Sequence, residues 1–173
     1  MATQQILLLP GTPVSFKDSG GTVTWTPTYD TGTAAGHGRI SNVYDRGAGA
    51  QAQLYRWECR VKWAATPAAK DPFRLYIVRS SASATAANTD GNLTFGDADL
   101  AAETELANNC LYIGQVLAAA ADESRCSHGV IELFDRYIAI AGWNGSATKA
   151  MGTTDADLEF ILTPMIPDVQ ASA

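Results

Sequence analysis

Between Tyr55 and Trp63 the chain reads YRWECRVKW, with Tyr55, Trp57, Cys59, Val61 and Trp63 at one set of alternate positions and Arg56, Glu58, Arg60 and Lys62 at the other. Successive side chains of a strand point to opposite sides of a sheet, so a period of two predicts a strand with one apolar and one charged face, inside a run of about residues 51–64. The same rhythm recurs along the chain. Residues 4–9 form a short apolar run closed by Pro10-Gly11, and residues 22–26 alternate Val23 and Trp25 with threonines before Pro27. Residues 39–44 read as a strand whose alternation breaks at Val43, and residues 73–80 place Phe73, Leu75 and Ile77 on one face. Strands are also predicted over 111–117, 129–134, 137–143 and 157–163, the last alternating Leu158, Phe160 and Leu162 until Pro164 and Pro167 end it.

The intervening segments carry turn chemistry. GTAAGHG (32–38) reads as a loop, residues 65–72 turn the chain with two prolines, and Asn144-Gly145 marks a turn. The stretch SSASATAANTDGNLTFGDA (80–98) is small and polar, with a tight turn expected at Asp90-Gly91. A short helix is predicted over 99–108, with Asp97 or Asp99 as N-cap and Leu100 and Leu106 as its apolar anchors. Together these make one long polar loop from about 80 to 108, a candidate contact arm. Eight or nine short strands with scarcely any helix predict an all-β fold, an antiparallel β-sandwich. The strand number and uneven loops favour a jelly roll over an immunoglobulin-like or other Greek-key sandwich. With no fixed-period repeat and no shift in composition, residues 1–173 read as a single domain with a C-terminal tail from about 164 to 173.

Composition narrows the function. Hydrophobic residues are 46% of the 173 and charged residues 17%, which suits a folded core rather than disorder. Twelve basic against 18 acidic residues leave a net charge of -6, the wrong sign for a protein that neutralises phosphates, so nucleic acid is excluded as the main partner. Cys59, Cys110 and Cys126 are far apart, odd in number and without C-x-x-C spacing, as expected of small buried hydrophobes in a protein made in a reducing compartment. The apolar run Ile6–Leu9 follows no basic stretch and is too short for a signal peptide or a membrane span, so neither export nor a membrane partner is expected.

The aromatic stripe of Tyr55 to Trp63 is expected to face the core, since each large side chain buried stabilises by about 1.5–3 kcal/mol, with a sugar-stacking platform as the alternative. Its opposite face carries Arg56, Arg60 and Lys62 around Glu58, a solvated sheet face or a docking patch for an acidic partner. YIAIAGW (137–143) is apolar on both faces, so its second face requires cover from a loop of its own chain or from another subunit. Ile138, Ile140 and Trp143 therefore join Arg56, Arg60 and Lys62 as candidate interface residues. His37 and His128 belong to no nucleophile or metal motif, and GDAD (96–99), TDAD (154–157) and NTDGN (88–92) resemble only fragments of a calcium loop, reading as turn and capping segments. Inward positions are almost free of Asp and Glu, so a carboxylate-lined cleft is hard to place. The expectation is a non-enzyme with no catalytic residue, cofactor or metal.

DRYIAIAGWNGSA (135–147) and DLEFILTPMIPDVQ (157–170) resemble small structural proteins of tailed bacteriophages: a strand ending in W-N, a short Gly/Ser/Ala stretch, a closing strand ending in T-P, and an acidic-hydrophobic tail. The likeness spans about a third of the chain. It implies a jelly-roll virion protein similar to cement or decoration proteins, which sit on a capsid and clamp neighbouring major capsid subunits. Its partners would be the major capsid protein and further copies of itself, as a dimer or trimer. It would occupy the capsid surface after synthesis in the host cytoplasm. The alternative is a carbohydrate-binding β-sandwich of a tail or fibre component, using Trp25, Trp143 or the aromatic stripe.

Overall fold

A computed structural model describes residues 5–26, 38–49, 51–65, 71–81, 84–85, 93–100, 102–118, 124–146, 149–152, 154 and 157–170. Its strands are β1 (Gln5–Pro10), β2 (Val14–Phe16), β3 (Gly38–Ile40), β4 (Tyr44–Asp45), β5 (Leu54–Val61), β6 (Pro72–Ser80), β7 (Ala98–Leu100), β8 (Leu111–Leu117), β9 (Arg125–Glu132), β10 (Tyr137–Asn144) and β11 (Leu158–Gln170), with a helix α1 (Glu103–Asn109). Every strand pairing is antiparallel. One sheet runs β1-β11-β5-β9, with β2 also on β11; the other runs β7-β3-β10-β6-β8, with β4 also on β10. The long-range pairings of β2 with β11, β3 and β4 with β10, β5 with β9, and β6 with β8 alternate between the sheets as the chain proceeds. That order is a jelly roll, to which β1 and β7 add at the edges.

The sandwich forms around the alternating stripes. Tyr55, Trp57, Cys59, Val61 and Trp63 are buried between the sheets with Phe73, Leu75 and Ile77 from β6 and Leu158, Phe160 and Leu162 from β11. Trp57 stacks on Phe160 with ring centroids 6.0 Å apart and planes 12° apart, and Phe16 meets Phe160 edge-on at 5.8 Å. The indole has room only because glycines face it. A Cβ at Gly129 would lie 2.7 Å from Trp57 Nε1, and one at Gly114 would lie 3.0 Å from its ring. Burial also pushes the Cys59 thiol well above its ordinary range, with smaller contributions from Cys126 and Glu159. The expectation of buried cysteines is met by Cys59 but not by Cys126, which is exposed.

A second apolar cluster lies outside the sandwich. Because side chains alternate along β10, Ile138 and Ile140 enter the main core while Ala139, Ala141 and Trp143 face outward beside Ile40, Tyr76 and Val78. Leu93, Leu100, Leu106 and the half-buried Phe95 cover that outer face. Glu103 of α1 fixes the cover to the sheet, accepting from Arg74 Nη1 at 2.8 and 2.7 Å and from Tyr76 Oη at 2.8 Å. The described part of the 80–108 loop is thus a lid on its own domain rather than an arm.

Several elements differ from expectation. Residues 22–26 form no sheet strand; Val23 makes a parallel bridge to Phe16, and Val23 and Trp25 still point inward. The predicted strand at 39–44 is split, because Ser41 turns its buried side chain back to accept from Ile140 N at 3.0 Å. The helix begins later than expected, after Ala102, with no side-chain cap. Asp97 and Asp99 instead accept from Arg39, at 2.9 and 2.6 Å, and Asp97 also holds Thr26. Pro164 and Pro167 do not end the last strand, which continues to Gln170. The Asn144-Gly145 turn does not close a tight hairpin; Gly145 N donates to Pro72 O, and the chain runs on to bridge Trp63 through Met151. His37, Asp90-Gly91 and NTDGN lie outside the described residues.

Two of these acids link stability to pH. Burial alone would raise the Asp97 carboxyl, but the bonds from Arg39 and Thr26 outweigh it and hold it below the usual range. Asp45 is lowered to about 2 by its bonds from Arg136 and from Gly47 N–H. A carboxyl lowered by folding stabilises fully above its unfolded value near ~3.9 and loses that contribution as pH falls through the folded value. The urea midpoint should therefore fall between about pH 4 and pH 2. In the Asp45→Asn variant that decline should be measurably shallower; an unchanged slope would contradict the linkage.

Candidate functional site

The outer face of the first sheet is set by register. Glu58 lies opposite His128 and Ile161, and Arg60 opposite Cys126 and Glu159, which places these six around a shallow cavity of about 320 Å³. Two arginines of the basic stripe predicted here are paired within the chain. Arg56 bonds Glu58, and Arg60 meets Glu159 at 3.2 Å, with Lys17 at 3.6 Å from the same carboxylate. Lys62 is half-buried, its backbone tied to Asp157 and Gly152. Cys126 and His128 are exposed, yet among the described residues no hydrogen bond joins them to each other or to Glu58, so no nucleophile is paired with a base. Also among the described residues, no group of three His, Cys, Asp or Glu is placed to hold a metal.

Ile138, Ile140 and Trp143, expected as interface residues, are buried within the chain. Ile138 and Ile140 are fully enclosed between the sheets, and the lid closes over Trp143, so the apolar second face of β10 is satisfied by its own chain. The cross-strand partner Gly38 leaves the indole its space, since a Cβ there would collide with the six-membered ring.

Exposed apolar surface gathers instead where β1 meets the last residues of β11. Up to Pro164, β11 pairs with β5; from Met165 onward its described partner is β1 alone. The result is a two-stranded ribbon extending from the sheet. Register pairs Leu9 with Ile166, Leu8 with Pro167 and Leu7 with Asp168, so Leu7, Leu9 and Ile166 share one face while Leu8 and Pro167 share the other. Both faces are open: Leu7, Leu8, Leu9 and Ile166 are 47%, 46%, 46% and 49% exposed. Pro167 is tolerated here because β11 has become an edge strand at this point. The unbroken run Ile6–Leu9 carried the signal, since consecutive apolar residues in a strand require cover on both faces.

No protein-family model and no curated protein sequence matches the chain. Among solved structures it is similar to murine APRIL at pH 5.0, with 10% identity, a TM-score of 0.39, and 95% of this chain and 99% of that one covered. Murine APRIL at pH 8.0 gives 13% identity and a TM-score of 0.40, with 94% of this chain and 99% of that one covered. The jelly roll is established by the strand pairings described above, independently of this likeness.

Proposed function

We propose that the protein is a non-enzymatic structural component of a bacteriophage virion, a cement or decoration protein that binds the capsid surface and stabilises the shell. The observation that carries this reading is the ribbon. A two-stranded ribbon is marginal in water by itself, and one with leucines on both faces and an uncharged β1 edge gains stability by docking against another surface. On a shell, modest contacts of this kind repeat at every symmetry-related position and become collectively tight. The resemblance of residues 135–147 and 157–170 to phage structural proteins supports the same assignment, with the major capsid protein and further copies of this chain as partners. A carbohydrate-binding module is disfavoured because Trp25, Trp57, Trp63 and Trp143 are all buried.

Added to assembled phage heads that lack it, the purified protein should co-sediment saturably, at a fixed ratio to capsid subunits, and raise the temperature at which the heads release DNA. Leu8→Glu should weaken that binding by roughly tenfold or more, since one buried leucine is worth about 1.5–3 kcal/mol. Absence of binding by the wild-type protein would remove the reading.

A further inference from the structure

The loop after β4 and the turn between β9 and β10 border an open cavity of about 390 Å³. Arg46 forms its inner wall. This side chain is only 6% exposed, and its guanidinium lies 5.0 Å over the Tyr55 ring. Nε donates to Tyr55 Oη at 3.0 Å, Nη1 to Asp135 O at 2.6 Å and Nη2 to Ala52 O. Among the described residues, all of its acceptors are uncharged. Buried charges are ordinarily paired, and a guanidinium has five N–H donors, of which these bonds use three.

The rest of the cavity suits an anion. Arg136 reaches its rim; its Nε and Nη2 bind Asp45, both at 2.8 Å, while Nη1 makes no bond among the described residues. Arg46, Arg136 and Arg79 against Asp45 and Asp135 leave a local excess of one positive charge on a chain of net charge -6. Gly47 and Gly49, with φ of +90° and +104°, line one side without side chains, and Gln51 and Gln53 add amide donors. Phe134, 67% exposed, supplies an apolar flank. The geometry points to a binding site for a carboxylate attached to an apolar group, with Arg46 and Arg136 holding the carboxylate and Phe134 the apolar part. The carboxylate can belong to a free small acid or to an acidic side chain in a peptide. This site does not depend on the shell-binding reading.

The test is an NMR titration of the full-length protein, following Arg46 Nε–H and the Gly47 and Gly49 amides. The probes are phenylacetate, with phenylacetamide as its neutral counterpart, and blocked Phe-Glu, with blocked Phe-Gln as its counterpart. At least one acid should give saturable shifts at all three groups, at least about tenfold tighter than its neutral amide, as expected for a charge-assisted bond. Saturation by both acids assigns the site to any such carboxylate, and saturation by the dipeptide alone assigns it to a peptide. Arg46 substitutions risk the fold, so Arg136→Gln and Phe134→Ser serve as variants, each expected to weaken binding about threefold or more with the remaining spectrum unchanged. No saturable shift with either acid, equal binding of acid and amide, or unaltered binding in both variants overturns the assignment.

Discussion

Trp57→Ala is expected to cost about 3–5 kcal/mol, which for a domain of ordinary stability removes a third or more of the total. The high end of that range applies because the cavity cannot be refilled locally. Trp57 lies against Gly129 and Gly114, which have no side chains to move inward, and its stacked partner Phe160 is held edge-on by Phe16. Removing the indole therefore forfeits both its burial and the contacts that position Phe160. Urea unfolding followed by far-ultraviolet circular dichroism should show a much lower midpoint with little change in slope. A loss below about 1 kcal/mol would mean the stripe is not packed as described.

Leu106→Ala should produce the second large effect, of about 2–5 kcal/mol, and it should be partly local. The helix α1 spans seven residues and has no N-terminal side-chain cap, so it is too short to persist by propensity. It is held by the fully buried Leu106 and by Glu103 on Arg74 and Tyr76. Without the leucine, the lid should open before the sandwich unfolds. Hydrogen exchange should then accelerate through 103–109 ahead of β6 and β10, and the uncovered Tyr76, Val78, Ala141 and Trp143 should bind a hydrophobic dye. Unchanged protection of the helix would show that the lid does not depend on this contact.

The regular strands were legible because one periodicity governs them. β5 and β11 each alternate against a single core, β6 sends Phe73, Leu75 and Ile77 to that core and Tyr76 and Val78 to the second cluster, and the double-sided apolar pattern of β10 announced a second covered face. What sequence pattern left open was which surface covers it, since Leu93, Leu100 and Leu106 belong to a polar, turn-rich loop whose spacing says nothing about where it folds. The ribbon was missed for a related reason. Pro164 and Pro167 ordinarily stop a strand, but Pro164 is the last residue paired with β5, and Pro167 lies beyond it, where β11 keeps only β1 as its described neighbour and needs fewer backbone donors. The basic stripe illustrates a third limit. Arg56 has its acid two residues away, whereas the partner of Arg60 is Glu159, which lies far along the chain and becomes its neighbour only through the β5–β11 register.

The fold and the proposed function both require the indoles to lie in the interior, with the β1–β11 ribbon rather than an aromatic platform as the proposed contact surface. Acrylamide quenching of the native protein's tryptophan emission measures this directly. With Trp25, Trp57, Trp63 and Trp143 at 0%, 3%, 1% and 9% exposure, emission should be blue-shifted and barely quenched until denaturant unfolds the chain. Free quenching of the folded protein, to the level of the unfolded one, would contradict the account.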